Sequence, residues 1–303
     1  MDVMSLEKRK FSLKQREAML GWLFVSPALI GFSIFTFGSI LYSFYLSLTD
    51  YDLFTKPTFV GLKNYIKAFT KDDYFYKYFG NTFYFVAFLV PIVLVTSLLL
   101  AILINKKSGA LTRAYRVALF LPSITSTVAV SMVWIWIFNP DMGLLNNFLY
   151  AIGFNNPPMW LNSTEWSKPA LVIMRVWQMS GYYMIMFLAG LQTIPESLYE
   201  AAEVDGATKF QKFIHITVPL LSNTTFVVAI LLVIEAFNMF ESIFIMTGGG
   251  PLGSTSTIMY YIYEQGFSFY DMGYASSLAW IFFALIMIVT LIQYKFRNEQ
   301  EGE

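Results

Sequence analysis

The chain has no cysteine, a single histidine (His215), and only 13% charged residues against 56% hydrophobic ones. Without cysteine there is no disulfide and no thiolate metal site. His215 stands alone in a polar stretch, and no cluster with metal-ligand spacing surrounds it. No Ser/His/Asp set and no paired acid–base carboxylates emerge, so the sequence offers neither a catalytic constellation nor a metal site. Lys and Arg number 20 and Asp and Glu number 20. No basic face interleaved with aromatics appears, which removes the footprint of a nucleic-acid binder. Internal repeats and low-complexity tracts are also missing.

What the chain does have is long apolar runs. A membrane-spanning helix needs roughly 20 mostly apolar residues. Six runs qualify, at about 20–45, 82–104, 115–138, 169–191, 219–246 and 274–294. The expected fold is therefore all-α, a polytopic membrane protein with about six transmembrane helices. Aromatics make up 18% of the residues, and many sit near run ends, as in interfacial belts.

Charge orients the runs. Lys8, Arg9, Lys10, Lys14 and Arg16 precede the first one. That run exceeds the h-region of a cleaved signal peptide, about 7–15 residues, and no small-residue cleavage site follows it. It reads as an uncleaved helix with a cytoplasmic N-terminus. Segments 1–19, 105–116, 192–218 and 295–303 then lie inside and hold 13 of the 20 Lys and Arg. The stretch from Thr247 to Gly273 has none. The positive-inside rule supports this orientation, with both termini cytoplasmic. Residues 1–19 form an N-terminal segment, 20–297 the six-helix domain, and 298–303 a tail. In the first external loop, residues from Gly61 open an amphipathic, interfacial helix to Phe69. The third loop, Asn139 to Lys168, reads as an irregular cap.

Several blocks carry a family signature. Tyr199-Glu200-Ala201-Ala202-Glu203-Val204-Asp205-Gly206 runs on to His215-Ile216-Thr217-Val218-Pro219. Trp22-Leu23-Phe24-Val25-Ser26-Pro27 opens the first run, and Arg116 to Pro122 opens the third. Met246-Thr247-Gly248-Gly249-Gly250-Pro251 follows the fifth. It lacks the Lys and Ser/Thr of a phosphate loop, so its glycines read as a turn with positive φ and close helix approach. Together these blocks resemble the permease subunits of bacterial binding-protein-dependent ABC importers, in the carbohydrate-uptake branch.

The resemblance implies a type I permease in the bacterial cytoplasmic (inner) membrane. It implies two separate ATPase subunits, a second non-identical permease, an extracytoplasmic solute-binding protein and a sugar or related polyol as substrate. This chain would hold no cofactor; ATP and Mg would sit on the ATPases. Residues 192–218 would be the loop that docks on the ATPase, with Glu200, Ala201, Ala202, Asp205, Gly206 and Pro219 as its motif. Pro195 is expected in the first turn of a helix, with Glu196 near its positive end. Gly206 is expected to break that helix.

Polar residues inside the runs mark the substrate path or an interhelical network, since a carboxylate in hydrocarbon is costly. The spacing of three and six residues puts Glu235, Asn238 and Glu241 within one broad sector of the fifth run. Arg175 lies at a depth that suits an ion pair with Glu241. Trp177, Gln178, Tyr182, Tyr183 and Asn223 offer the aromatic faces and hydroxyl-seeking groups of a sugar path; packing and interfacial roles remain open for them. Two other classes compete. An ion-gradient-driven secondary carrier would leave the Glu200 motif unexplained, and a membrane enzyme would need a reactive constellation.

Overall fold

The computed structural model describes residues 13–105 and 109–301. Lys8, Arg9, Lys10, Lys106 and Lys107, on which part of the charge asymmetry rests, lie outside the described residues, as do residues 302–303 of the tail.

The chain opens with α1 (Leu13–Gly31), which runs through a widened π-helical stretch, Phe32–Gly38, into α2 (Ser39–Ser47). A two-stranded ribbon follows, β1 (Thr49–Asp50) paired antiparallel with β2 (Thr58–Phe59). Then come α3 (Lys63–Thr70), α4 (Asp73–Asn105), α5 (Ala110–Ile124), α6 (Thr127–Ile137) and α7 (Leu144–Ala151). They are followed by α8 (Ser167–Gln192), α9 (Glu196–Val204), α10 (Lys209–Lys212) and α11 (Val218–Leu220). The chain closes with α12 (Ser222–Phe237), α13 (Glu241–Met246), α14 (Ile258–Tyr263) and α15 (Met272–Glu301).

Four stretches are continuous, apolar and long enough to cross a membrane: Leu13–Ser47, Asp73–Asn105, Ser167–Gln192 and Met272–Lys295. Two more are bent pairs. The helices Ala110–Ile124 and Thr127–Ile137 meet at 99°, and Lys209–Leu220 meets Ser222–Phe237 at 67°. Counting each pair as one span makes six. The third and fifth runs are thus broken, where the sequence suggested straight helices. At the first break Thr125 is extended, with φ −79° and ψ 141°, three residues after Pro122. Proline has no amide hydrogen to donate, which weakens the helix there. The fifth run breaks again beyond Phe237, before α13 begins at Glu241.

Helix α4 is the central post, contributing to all three apolar clusters. Phe85 and Leu89 pack with Leu171, Met174 and Ile243. Val93 and Ala101 pack with Met184, Phe187, Val228 and Leu232. Phe75 packs with Phe237, Ile258, Tyr274 and Leu278. The α5–α8 crossing is closer still: a Cβ on Gly181 would lie 1.9 Å from the Leu119 carbonyl oxygen. By contrast, no residue of α1 is buried.

Polar clamps order the end of the bundle opposite α9. Asn64 donates from Nδ2 to the carbonyls of Ser47 (3.1 Å) and Thr49 (2.8 Å), fastening α3 to the end of α2. Asp72 accepts from the hydroxyls of Tyr261 and Tyr274, and Lys67 pairs with Asp271 at 3.1 Å. Burial, with the hydrogen bond to Asp72, pushes the Tyr261 phenol up from its ordinary pKa. Asn81 donates to the carbonyls of Gly253 and Ser256, holding the glycine-rich turn. Gly248 and Gly249 there have φ of 54° and 78°, and a Cβ on Gly249 would meet Ser256 Oγ at 2.3 Å. Both reasons for glycine, positive φ and close approach, therefore apply. The amphipathic helix of the first loop runs from Lys63 to Thr70, but the ribbon before it had no sequence signal beyond turns. The third loop is more regular than expected: it holds α7, and Trp160 donates to Asn146 at 2.7 Å.

Candidate functional site

Two surfaces stand out. The first is the α9–α11 connection between α8 and α12. Pro195 is the residue just before α9, with φ −59° and ψ 131°, and so precedes the first turn instead of occupying it. Glu196 does lie in that turn, near the positive end of the helix dipole. The helix ends as a Schellman motif. Ala207 N–H donates to the Ala202 carbonyl at 2.8 Å, and Gly206 N–H to that of Glu203 at 3.1 Å. Gly206 supplies the required left-handed residue, with φ +79°. The chain restarts at once, because Thr208 and Gln211 form a reciprocal capping box for α10.

Glu200, Ala201, Asp205, Gly206 and Pro219 are exposed, while Ala202 is half-buried and turned toward its own chain. The same surface carries apolar residues that sequence reasoning did not single out. Val204 is 90% exposed and Phe210 70%. Leu198, Ile214 and Val218 are exposed there too, so the surface of the connection is partly apolar. The signal of Val204 and Phe210 in the sequence was present but weak, two apolar residues among charged ones. Two links tie the loop to its own return: Tyr199 Oη lies 2.9 Å from Thr217 Oγ1, and Lys212 Nζ lies 3.0 Å from Glu203 Oε2.

The second surface is a polar chain across the bundle. Arg175 on α8 donates to Gln178 Oε1 at 2.8 Å and to Glu235 Oε1 on α12 at 2.8 Å. Tyr183 donates to the other Glu235 oxygen at 2.9 Å. Gln178 in turn directs its amide at the Thr125 carbonyl (3.4 Å) and Thr127 Oγ1 (3.3 Å), the two sides of the α5/α6 break. The expected Arg175–Glu241 pair is therefore wrong. The break after Phe237 turns Glu241 onto α13, out of the Glu235 sector, and Glu241 is exposed. Asn238 is exposed and its Nδ2 donates to the Ile234 carbonyl at 2.8 Å, closing the end of α12. Arg175 and Gln178 are buried, whereas the Glu235 side chain is 43% exposed. Arg175 Nε is buried without a partner.

The remaining residues expected to line a path separate. Tyr182 is exposed on the same side of α8 as Arg175, seven residues and about two turns away. Trp177 lies about 140° around the axis from Tyr182, from the 3.6-residue turn. It packs edge-on to Trp134 and lines a groove of about 400 Å³ with Ile92, Ala118 and Pro122. Asn223 shares the exposed stripe of α12 with Val227, Leu231 and Glu235, but it sits about 18 Å from Glu235 along the helix. The structure thus brings Gln178, Tyr183, Glu235 and Arg175 together, with Tyr182 and Asn238 on adjoining surface, and sets Trp177, Asn223 and Glu241 apart.

Comparison with known proteins agrees with this architecture. Residues 75–298 match the family described as "Binding-protein-dependent transport system inner membrane component". The probable ABC transporter permease protein YesP of Bacillus subtilis is 37% identical over 284 residues, covering 93% of this chain and 91% of YesP. The lactose transport system permease protein LacF of Rhizobium radiobacter is 33% identical, covering 96% and 98%. Among solved structures, a chain of a bacterial ABC transporter involved in import of the acidic polysaccharide alginate superposes with a TM-score of 0.82 at 24% identity, covering 94% of this chain and 96% of that one. The chain belongs to the binding-protein-dependent transport system inner membrane components, the permease subunits of ABC transporters.

Proposed function

We propose that this chain is one of two non-identical permease subunits of an ATP-driven importer for a sugar, an oligosaccharide or a related polyol. ATP and Mg would be held by two ATPase subunits, one of which would dock on the α9–α10 surface, and an extracytoplasmic binding protein would deliver substrate at the opposite end. Both termini would be cytoplasmic. The observation that carries the coupling role is the exposed outer face of α9. It presents Glu200, Ala201 and Val204, with Phe210 exposed on α10, at the end of the bundle remote from the glycine-rich turn. An exposed Val204 one turn from Glu200 suits a cleft in another protein.

The path would run along the face shared by Arg175, Tyr182, Glu235 and Asn238. A half-exposed carboxylate within a span does not face lipid; it faces a partner subunit or a water-filled cavity. Glu235 has lone pairs left beyond those used by Arg175 and Tyr183, and sugar hydroxyls donate to such acceptors. Several relatives are named for carbohydrate or glycerol-phosphate transport, including LacF and the arabinooligosaccharides permease AraP of Bacillus subtilis. The test is uptake in proteoliposomes that contain the chain, its partner permease, the ATPases and the binding protein. Uptake of a labelled sugar that needs ATP and survives collapse of the proton gradient supports the importer. Uptake driven by the gradient alone would make the chain a secondary carrier.

A further inference from the structure

We infer that Tyr199 is a positioning residue that turns the docking loop into a rigid lever on α12. The inference rests on the docking role proposed above. Helix α9 has no buried residue and only Tyr199 and Ala202 on it are half-buried, so packing holds its direction weakly. Its flanks are the two places where the chain changes direction. Pro195 on one side is extended, and Gly206 on the other ends the helix in the left-handed region. A push on the outward face at Glu200, Ala201 and Val204 would swing α9 about these two points unless something braces it.

The brace is the Tyr199 hydroxyl, on the inward side of α9. It meets Thr217 Oγ1 at 2.9 Å across 18 residues of chain. Thr217 is 6% exposed, and its carbonyl accepts from Leu221 N–H at 3.0 Å. Leu221 is 1% exposed and is seated among Leu188, Leu191 and Val228 where α8 and α12 touch. That contact is tight: a Cβ on Gly190 would come within 2.5 Å of Thr224 Oγ1. The Glu203–Lys212 pair adds an outer strut to the same unit. Displacement of α9 thus passes through Tyr199 and Thr217 into the root of α12, whose far end holds Glu235 against Arg175. A side-chain hydroxyl pair, and not the exposed motif itself, would set how much ATPase motion reaches the path.

The experiment uses the whole transporter in proteoliposomes, with Tyr199→Phe, Thr217→Val, the double variant and Thr217→Ser. Two quantities are read: co-purification of the ATPase, and substrate taken up per ATP hydrolysed. The expected result is retained co-purification with uptake per ATP falling about fivefold in either single variant, the weight of one net hydrogen bond. The double variant should fall no further, and Thr217→Ser should match the parent because it keeps the hydroxyl. An unchanged ratio in Tyr199→Phe overturns the lever. So does loss of co-purification in Tyr199→Phe, which would make Tyr199 a contact residue. Failure of the parent transporter to retain any ATPase would instead sink the docking role.

Discussion

Arg175 reaches across from α8 to Glu235 on α12, with 2.8 Å between nitrogen and oxygen, and this pair links two spans that diverge in sequence by 60 residues. The arginine is buried and the glutamate is half open. Removing one partner of a fully buried pair costs about 3–5 kcal/mol because the other charge is stranded. The open side of Glu235 lets water moderate that cost from its side only. Arg175→Ala should therefore leave a carboxylate that rehydrates, while Glu235→Ala strands a guanidinium and should damage assembly more. The double variant should be milder than Glu235→Ala alone. Yield of assembled transporter after gentle solubilisation measures all three, and a double variant as damaged as Glu235→Ala would argue against the coupling.

Asn238→Leu should keep the transporter assembled but lower substrate uptake. The change removes a surface amide and the bond to Ile234, which is worth about 1 kcal/mol, without stranding a charge. Uptake at parental level would remove Asn238 from the path.

Gly206 separates conformation from contact. A Cβ there meets nothing within 4 Å, yet φ is +79°. Gly206→Ala pays only the left-handed backbone cost, about 1–2 kcal/mol, and should keep ATPase co-purification. Proline holds φ near −65°, so Gly206→Pro should redirect the chain and abolish it. Equal retention by both variants would contradict a role for the Schellman end.

Gly181→Ala is expected to be far more harmful than Gly21→Ala. At Gly181 the new methyl would run into the backbone carbonyl of Leu119, while at Gly21 it meets nothing within 4 Å. Overpacking commonly costs about 1–3 kcal/mol, and backbone yields less easily than a side chain. Thermal stability of the purified transporter should fall for Gly181→Ala and hold for Gly21→Ala.

Orientation has a direct test in a chain without cysteine. Single cysteines at Asn162 and Leu252 should react with an impermeant thiol reagent added outside. Cysteines at Val204 and Lys209 should react only after the membrane is opened. All four positions are exposed, so a reversed pattern would overturn the topology and the ATPase contact with it.

The sequence by itself determined where the apolar runs lie, where α9 ends and where the glycine-rich turn falls, because each is written in local terms. Long apolar runs answer to the thickness of a bilayer. Gly206 and Gly249 answer to backbone conformations that other residues resist. The position of the α9 end could be read from Gly206 alone. The tertiary structure alone decided which polar residues meet. Glu235 and Glu241 look equivalent along the chain, and a straight fifth helix would set both beside Asn238. The break between Phe237 and Glu241 leaves one on α12 against Arg175 and carries the other away. The helical turn already sets Trp177 and Tyr182 on different sides of α8, but only packing decides that Trp177 lines a groove beside Trp134 and Tyr182 an open surface. Partner choice depends on bends and crossings set by distant residues such as Pro122 and Gly181, and a local pattern does not record which distant residue will be near.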